Sequence, residues 1–90
     1  MYLHLGQNVV VPEKNLIGIF DLDNTTGSQI TRTFLRNAEK EGRVLNVSDE
    51  LPRSFVVSSD ANSKSNNILI SQLTPQTLLK RMEANLDSIR

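Results

Sequence analysis

A chain of 90 residues is expected to form one small domain over residues 1–90. A domain of this size buries only about 60–65 % of the surface of its unfolded chain, so association with further copies would stabilise it. Cysteine is absent and histidine occurs once, at His4, which excludes disulfides, thiolate catalysis and metal sites built from these ligands. Ten basic residues balance ten acidic ones, which argues against a general affinity for polyanions.

No segment has the length and apolarity of a membrane span, which needs about 20 apolar residues. Met1 leads directly into a strand pattern without a basic region or a cleavage site, so no targeting segment is predicted. We therefore expect a cytoplasmic protein without a membrane partner. Neither a cofactor nor a small-molecule substrate is expected.

The first twenty residues predict three strands, at residues 2–5, 9–11 and 16–20. The turn-forming residues 6–8 and the closing Pro12 are typical of a short hairpin built from the first two strands. A polar turn at residues 13–15 leads into the third strand. His4 alternates with Tyr2 on one face of the first strand, which indicates a surface or structural role.

Residues 26–41 follow a helical pattern that ends at Gly42. One side of this helix carries the apolar residues Ile30, Phe34, Leu35 and Ala38. At 100° per residue, the opposite side carries the cations Arg32, Arg36 and Lys40. The pattern predicts an amphipathic helix with a buried apolar face and a basic outer stripe.

Three further strands are predicted at residues 43–47, 53–57 and 68–70. Residues 48–52 form a polar corner, and residues 58–67, SSDANSKSNN, predict a flexible loop because they lack periodicity. Thr74 is a natural N-cap and Pro75 fits the first helical position, so a helix is predicted over residues 74–89. Its apolar face comprises Leu78, Leu79, Met82, Leu86 and Ile89. Together these elements predict the α+β class, with a small, mostly antiparallel sheet, one central helix and one C-terminal helix.

The segment FDLDNTTG, residues 20–27, follows an apolar strand and resembles the motif of the haloacid-dehalogenase-like phosphatases. In that resemblance Asp21 would be the nucleophile that forms an aspartyl-phosphate, and Asp23 would be the general acid. Thr25 also matches the motif. The matching stretch covers about ten residues.

The rest of the sequence does not supply what such a phosphatase needs. These enzymes use a downstream lysine and a further acidic pair on later strands, whereas Lys64 is the sole cation between Arg53 and Lys80 and lies in the predicted loop. Each parallel crossover also takes roughly 30 residues, which is too many for this chain. The pattern therefore favours a turn, in which Asp21, Asp23 and Asn24 cap the next helix, and the chain is not expected to be an enzyme.

Four ordered blocks carry a second resemblance, which covers nearly the whole chain. They are MYLHLGQNVVVP, IGIFDLDNTT, EGRVLNVSDELPRSFVV and ILISQLTPQTLLKR. Together they are similar to the RemA-like family of extracellular matrix regulators from Gram-positive, spore-forming bacteria. The resemblance implies a DNA-binding transcription regulator of biofilm matrix genes, a fold like the LytTR DNA-binding domain, and assembly into a ring of identical subunits.

The resemblance also implies where double-stranded DNA would be bound. The better-known relative contacts DNA through an arginine before the third strand and an arginine pair before the strand near Phe55. Alignment by the flanking apolar blocks places Asn15 at the first position and Leu51 and Pro52 at the pair, so this sequence lacks those arginines. The adjacent cations are Lys14 and Arg53. Lys14, Asn15 and Arg53 are therefore the first candidate contacts with the phosphate backbone.

Each candidate contact has a plainer interpretation. Arg53 is also explained as a surface charge that pairs with Asp49 or Glu50. The stripe of Arg32, Arg36 and Lys40 is a second DNA-binding candidate, but a solvated helix face needs such charges in any case. Three functions thus remain open: a DNA-binding regulatory ring, an oligomeric scaffold without DNA contacts and, most distantly, an aspartate-dependent phosphatase.

Overall fold

The computed structural model describes residues 1–25, 27–60 and 65–88. Its elements are, in chain order, the strands β1 (Tyr2–Gly6), β2 (Val9–Pro12) and β3 (Leu16–Asp21), the helices α1 (Leu22–Thr25) and α2 (Gln29–Lys40), the strands β4 (Val44–Asn46), β5 (Ser54–Ser59) and β6 (Asn66–Ser71), and the helix α3 (Pro75–Ser88). A 3-10 turn, Glu13–Asn15, joins β2 to β3. This content confirms the predicted α+β class.

Strands β1 and β2 form the predicted antiparallel hairpin. Gln7 and Asn8 connect them with φ values of 50° and 66°, the left-handed pair that a two-residue hairpin turn requires. Leu3 and Leu5 point inward and are fully buried. Tyr2 and His4 lie on the outer face and are exposed, because successive side chains of a strand alternate between its faces.

The remaining strands form a four-stranded sheet in the order β3-β5-β6-β4. The β3–β5 and β5–β6 pairs are antiparallel and the β4–β6 pair is parallel, so the sheet is mostly antiparallel as predicted. The predicted flexible loop at residues 58–67 is too long. Strands β5 and β6 remain paired as far as Ser59 and Asn66, because backbone pairing does not require apolar side chains. Residues 61–64 lie outside the described part of the chain.

The hairpin and α3 cover one face of this sheet. The buried core there comprises Leu3, Leu5, Val11, Val47, Val56, Leu69 and Leu78. The Thr74 hydroxyl accepts a hydrogen bond from the Thr77 backbone N–H at 3.2 Å, which confirms the predicted N-cap of α3. Leu79, which was assigned to the apolar face of this helix, is 53 % exposed and does not belong to this core. The Leu86 side chain and Ile89 lie outside the described residues.

Helix α2 covers the other face, over a smaller core of Ala38, Phe55, Val57 and Ile68. The helix begins at Gln29 rather than at residue 26, because the short helix α1 follows β3 directly. Its predicted apolar face is only partly buried, since Ile30 and Phe34 are 83 % and 37 % exposed. The reason is the position of α2, which packs over β4 and β6 and leaves the β3 side of the sheet uncovered.

Candidate nucleic-acid interface

Lys14 and Asn15 lie in the 3-10 turn before β3. The Glu13 backbone N–H donates to the Met1 carbonyl oxygen at 3.0 Å, and the Ser59 hydroxyl donates to the Asn15 carbonyl oxygen at 3.3 Å. These bonds attach the turn to the start of the hairpin and to the end of β5. The Lys14 side chain is exposed, whereas Asn15 is partly buried. Lys14 is therefore the residue of this turn whose charge is available to a ligand.

Arg53 immediately precedes β5, and its backbone is fixed on both sides. Its N–H donates to the Ser71 carbonyl oxygen at 2.9 Å, and its carbonyl oxygen accepts from the Leu22 N–H at 3.1 Å. The side chain remains 49 % exposed, and its Nε lies 3.9 Å from a carboxylate oxygen of Asp23. From the sequence, Arg53 was expected to pair with Asp49 or Glu50 if it serves only as a surface charge. The actual partner is 30 positions away in the chain and is brought near by the β3–β5 pairing.

The Asp21–Asp23 segment, which resembles a phosphatase motif, has structural roles here. The Asp21 carboxylate accepts a hydrogen bond from the Asp23 backbone N–H at 2.8 Å. This bond confirms the expected turn and cap for Asp21, and it serves the short helix α1 rather than α2. The Asn24 side chain lies outside the described residues. Asp23 in turn faces Arg53. The two carboxylates therefore contribute to the turn after β3 and to an ion pair.

Lys14 and Arg53 lie at opposite ends of the β3–β5 pair. Leu16, at the start of β3, pairs with Ser58, and Asp21, at its end, pairs with Ser54. At about 3.4 Å per residue, the strand from Leu16 to Asp21 separates these ends by about 17 Å. The structure thus does not bring the two candidate cations together, and each would contact a different phosphate.

The second candidate group lies on the outer side of α2. Arg32, Arg36 and Lys40 are all exposed. The Arg32 guanidinium donates to the Gly27 carbonyl oxygen at 2.9 Å, which holds this side chain near the start of the helix. The neighbouring acids Glu39 and Glu41 are also exposed and reduce the positive potential at the end of the helix.

The corner before β5 carries no cation. Leu51, at an aligned arginine position, is 76 % exposed, and Pro52 is partly buried. Asp49 and Glu50 are exposed beside them. The Glu50 backbone N–H donates to the Ser48 hydroxyl at 3.0 Å, so the corner has a defined shape. Its charge is negative where the resemblance implies positive charge.

Arg43 is a further cation, which no motif or charge pattern in the sequence singles out. Its guanidinium donates to the Asn66 carbonyl oxygen and to the Glu41 carboxylate, at 3.0 Å from the latter. Only 18 % of the side chain is exposed. Arg43 therefore joins the start of β4 to β6 and has little surface left for a ligand.

A family model described as extracellular matrix regulatory protein A-like matches residues 2–82. The match covers most of the chain, so the protein belongs to the RemA-like family, as the four sequence blocks predicted. The chain is also similar to extracellular matrix regulatory protein B of Bacillus subtilis (strain 168). The two are 34 % identical over 83 residues, which are 92 % of this chain and 91 % of the relative. The names of both the family and the relative place the protein among extracellular matrix regulators.

None of the described helices combines the length and apolarity needed to cross a membrane.

Proposed function

We propose that this protein is a cytoplasmic DNA-binding regulator of extracellular matrix genes that acts as a closed ring of identical subunits with a LytTR-like fold. The observation that carries the proposal is the family match over residues 2–82. The name of the relative from Bacillus subtilis supports the same regulatory role. The bonded positions of Asp21 and Asp23 support a role without catalysis.

Lys14 and Arg53 are the cations that contact DNA in this proposal. Both side chains are exposed on backbone segments that hydrogen bonds hold in place. Contacts of lysine and arginine with phosphate release counterions and do not read the base sequence. Binding by this surface should therefore be strong at low salt, should weaken steeply as salt is added and should depend little on sequence.

Repetition of the subunit compensates for the small number of cations. One subunit offers two first-choice cations, Lys14 and Arg53, and the protein has no net charge. A ring presents the same contacts several times, and after the first contact the others bind at a high effective concentration. The zero net charge is thus compatible with DNA binding by the assembly.

The test is a gel-retardation series with a duplex of about 40 base pairs, which spans several helical turns at 10–10.5 base pairs each. The wild-type protein should retard the duplex at low salt, and Lys14→Glu should weaken binding because it places a repelling charge beside the phosphates. The triple alanine variant of Arg32, Arg36 and Lys40 should weaken binding less. A larger loss from the triple variant than from Lys14→Glu would assign DNA to α2 instead.

An oligomeric scaffold without DNA contacts is the second candidate function. It is favoured by the charge of the corner, where Leu51 and Pro52 occupy the aligned arginine positions beside Asp49 and Glu50. It is also favoured by the proximity of Asp23 to Arg53, which lowers the positive potential there. Absence of duplex retardation at low salt by an assembled wild-type protein would support the scaffold and contradict the regulator.

A further inference from the structure

Helix α3 places one cation, Arg81, beside the hairpin. The Arg81 guanidinium donates a hydrogen bond to the His4 carbonyl oxygen at 3.1 Å. The Glu13 N–H bonds to the Met1 carbonyl oxygen, and bonded and non-bonded residues alternate along an antiparallel pair. The carbonyl group of His4 therefore points away from β2. Arg81 is thus held at the free edge of β1, which we call the hairpin edge.

Arg81 lies at the border of the buried face of α3. Leu78 and Met82 of this helix pack against the core. At 100° per residue, Arg81 is turned by about 60° from Leu78 and by about 100° from Met82. The neighbouring Lys80 is turned by about 160° from both. Arg81 therefore extends along the hairpin, whereas Lys80 projects from the outer side of the helix.

The bond to His4 leaves most of the Arg81 guanidinium available to a ligand. A guanidinium has several N–H donors in a planar fork, and the carbonyl oxygen of His4 takes one of them. Both residues are exposed. Since this bond already restricts the side chain, less conformational entropy is lost when a second acceptor binds. The planar fork matches the oxygens of a phosphate group.

The positions that neighbour Arg81 on the helix surface are uncharged. Residues three and four positions apart contact each other on a helix. For Arg81 these residues are Thr77, Leu78, Ala84 and Asn85. Among the side chains that the structure describes, no carboxylate forms an ion pair with Arg81 or with Lys14. The positive charge of Arg81 is therefore not neutralised locally.

The outer face of the hairpin carries no acidic residue. Its side chains are those of Tyr2, His4, Val10 and Pro12. A DNA strand that lies along the hairpin edge would therefore meet no repelling charge on this face.

Lys14 lies near the same edge. The bond between Glu13 and Met1 brings the residue before Lys14 to the start of β1. From Met1 to His4 the strand advances by about 10 Å. Each strand of B-DNA carries a phosphate about every 3.4 Å along the helix axis, so this spacing corresponds to about three phosphates. One DNA strand laid along the hairpin edge therefore reaches both Lys14 and Arg81.

We infer that Arg81 is a third phosphate contact and that Lys14 and Arg81 together bind one strand of double-stranded DNA along the hairpin edge. This rests on the DNA binding proposed above. The contacts that the resemblance implies come from the turn before β3 and from the segment before β5, so a contact from α3 is an addition to them. A purely structural role of Arg81, which joins α3 to β1, would need the hydrogen bond to His4 but not the positive charge.

The test is a fluorescence-anisotropy titration of a duplex of about 40 base pairs at several salt concentrations. Arg81→Gln removes the charge but keeps a donor for the His4 carbonyl oxygen, whereas Arg81→Lys keeps the charge. Lys80→Gln is the matched control, because Lys80 is an adjacent exposed cation on the outer side of α3, with Glu83 three positions further along. Light scattering should give the wild-type mass for all three variants.

Arg81→Gln should lower the slope of log affinity against log salt by about 0.9 for each subunit in contact, and Lys14→Gln should lower it by the same amount. Arg81→Lys and Lys80→Gln should keep the wild-type slope. A wild-type slope in Arg81→Gln, or an equal loss in Arg81→Lys or Lys80→Gln, would overturn the inference while leaving the proposed DNA binding in place. A wild-type protein that does not bind the duplex would overturn both.

A second measurement uses the wild-type protein and does not depend on the folding of a variant. An arginine-selective dicarbonyl reagent is applied with and without the duplex, and the modified peptides are quantified by mass spectrometry. At low salt the duplex should protect Arg81, while Arg36 on α2 serves as the internal reference and should react equally in both samples. Equal reactivity of Arg81 with and without bound duplex, or equal protection of Arg36, would overturn the inference.

Discussion

Replacing Arg53 by alanine should reduce the slope of log affinity for DNA against log salt concentration. The size of the reduction gives the number of subunits whose Arg53 contacts a phosphate. Each lost phosphate contact lowers the slope of log affinity against log salt by about 0.9. Over a fourfold change in salt, one contact therefore contributes about a 3.5-fold change in affinity. If about four subunits of the ring place Arg53 on phosphate, then between 50 and 200 mM salt the affinity of the wild type should fall about 150-fold more than the affinity of the variant.

Arg53→Ala should remove the charge without disturbing the fold. The Arg53 backbone bonds to Ser71 and Leu22 involve main-chain atoms, so alanine keeps them. The lost Asp23 contact, at 3.9 Å between half-exposed and exposed groups, is a surface ion pair that contributes about 0–1 kcal/mol to stability. Fold and oligomeric mass should be unchanged.

The assay is fluorescence anisotropy of a labelled duplex at four salt concentrations, with Arg36→Ala as the charge-matched control. Arg36 is an exposed arginine on α2. The slope of the control should differ from the wild-type slope by no more than about 0.9, which is the change expected for one phosphate contact. Equal slopes for wild type and Arg53→Ala, or a greater loss in the control, would refute the placement of DNA at Arg53.

Three further predictions concern the corner before β5 and the caps of α1 and α3. Leu51→Arg restores a cation at the exposed corner and should tighten duplex binding and steepen the salt slope by about 0.9 per contacting subunit, measured by the same anisotropy titration. Asp21→Ala should lower the free energy of unfolding by about 1 kcal/mol in urea titrations because the cap of α1 is lost, whereas Asp21→Asn should keep most of that stability. Magnesium-dependent phosphomonoester hydrolysis by the wild type that Asp21→Asn abolished would contradict the non-catalytic role. Thr74→Ala should cost about 0.5–2 kcal/mol of stability through the lost N-cap of α3, and a loss no larger than that of Thr33→Ala, on the exposed side of α2, would contradict that role.

Local features of the fold were predictable from the sequence. The turn at Gln7 and Asn8 and the start of α3 at Thr74 depend on the conformations and side-chain bonds of a few adjacent residues, which the sequence specifies directly. The α+β class followed from the order of the local elements, because strands outnumber helices and come in runs. The family followed from four sequence blocks in a fixed order.

Features that depend on residues far apart in the chain were harder to predict from the sequence. Helical periodicity showed that Ile30 and Phe34 belong to the apolar side of α2, but it could not show how far the sheet extends beneath them. The pairing of β5 with β6 through Ser59 and Asn66 uses backbone groups, which carry no side-chain signature. The proximity of Asp23 to Arg53 arises from the β3–β5 register, which the sequence alone left open.

Chromatography with light scattering, with and without a duplex of about 40 base pairs, tests the DNA-binding ring most directly. We predict a single species of wild-type protein with a mass several times 10.1 kDa at micromolar concentration in moderate salt. At low salt the duplex should co-elute with this species and increase its mass. A monomeric mass would contradict the ring, and an assembled protein that elutes apart from the duplex at low salt would contradict DNA binding.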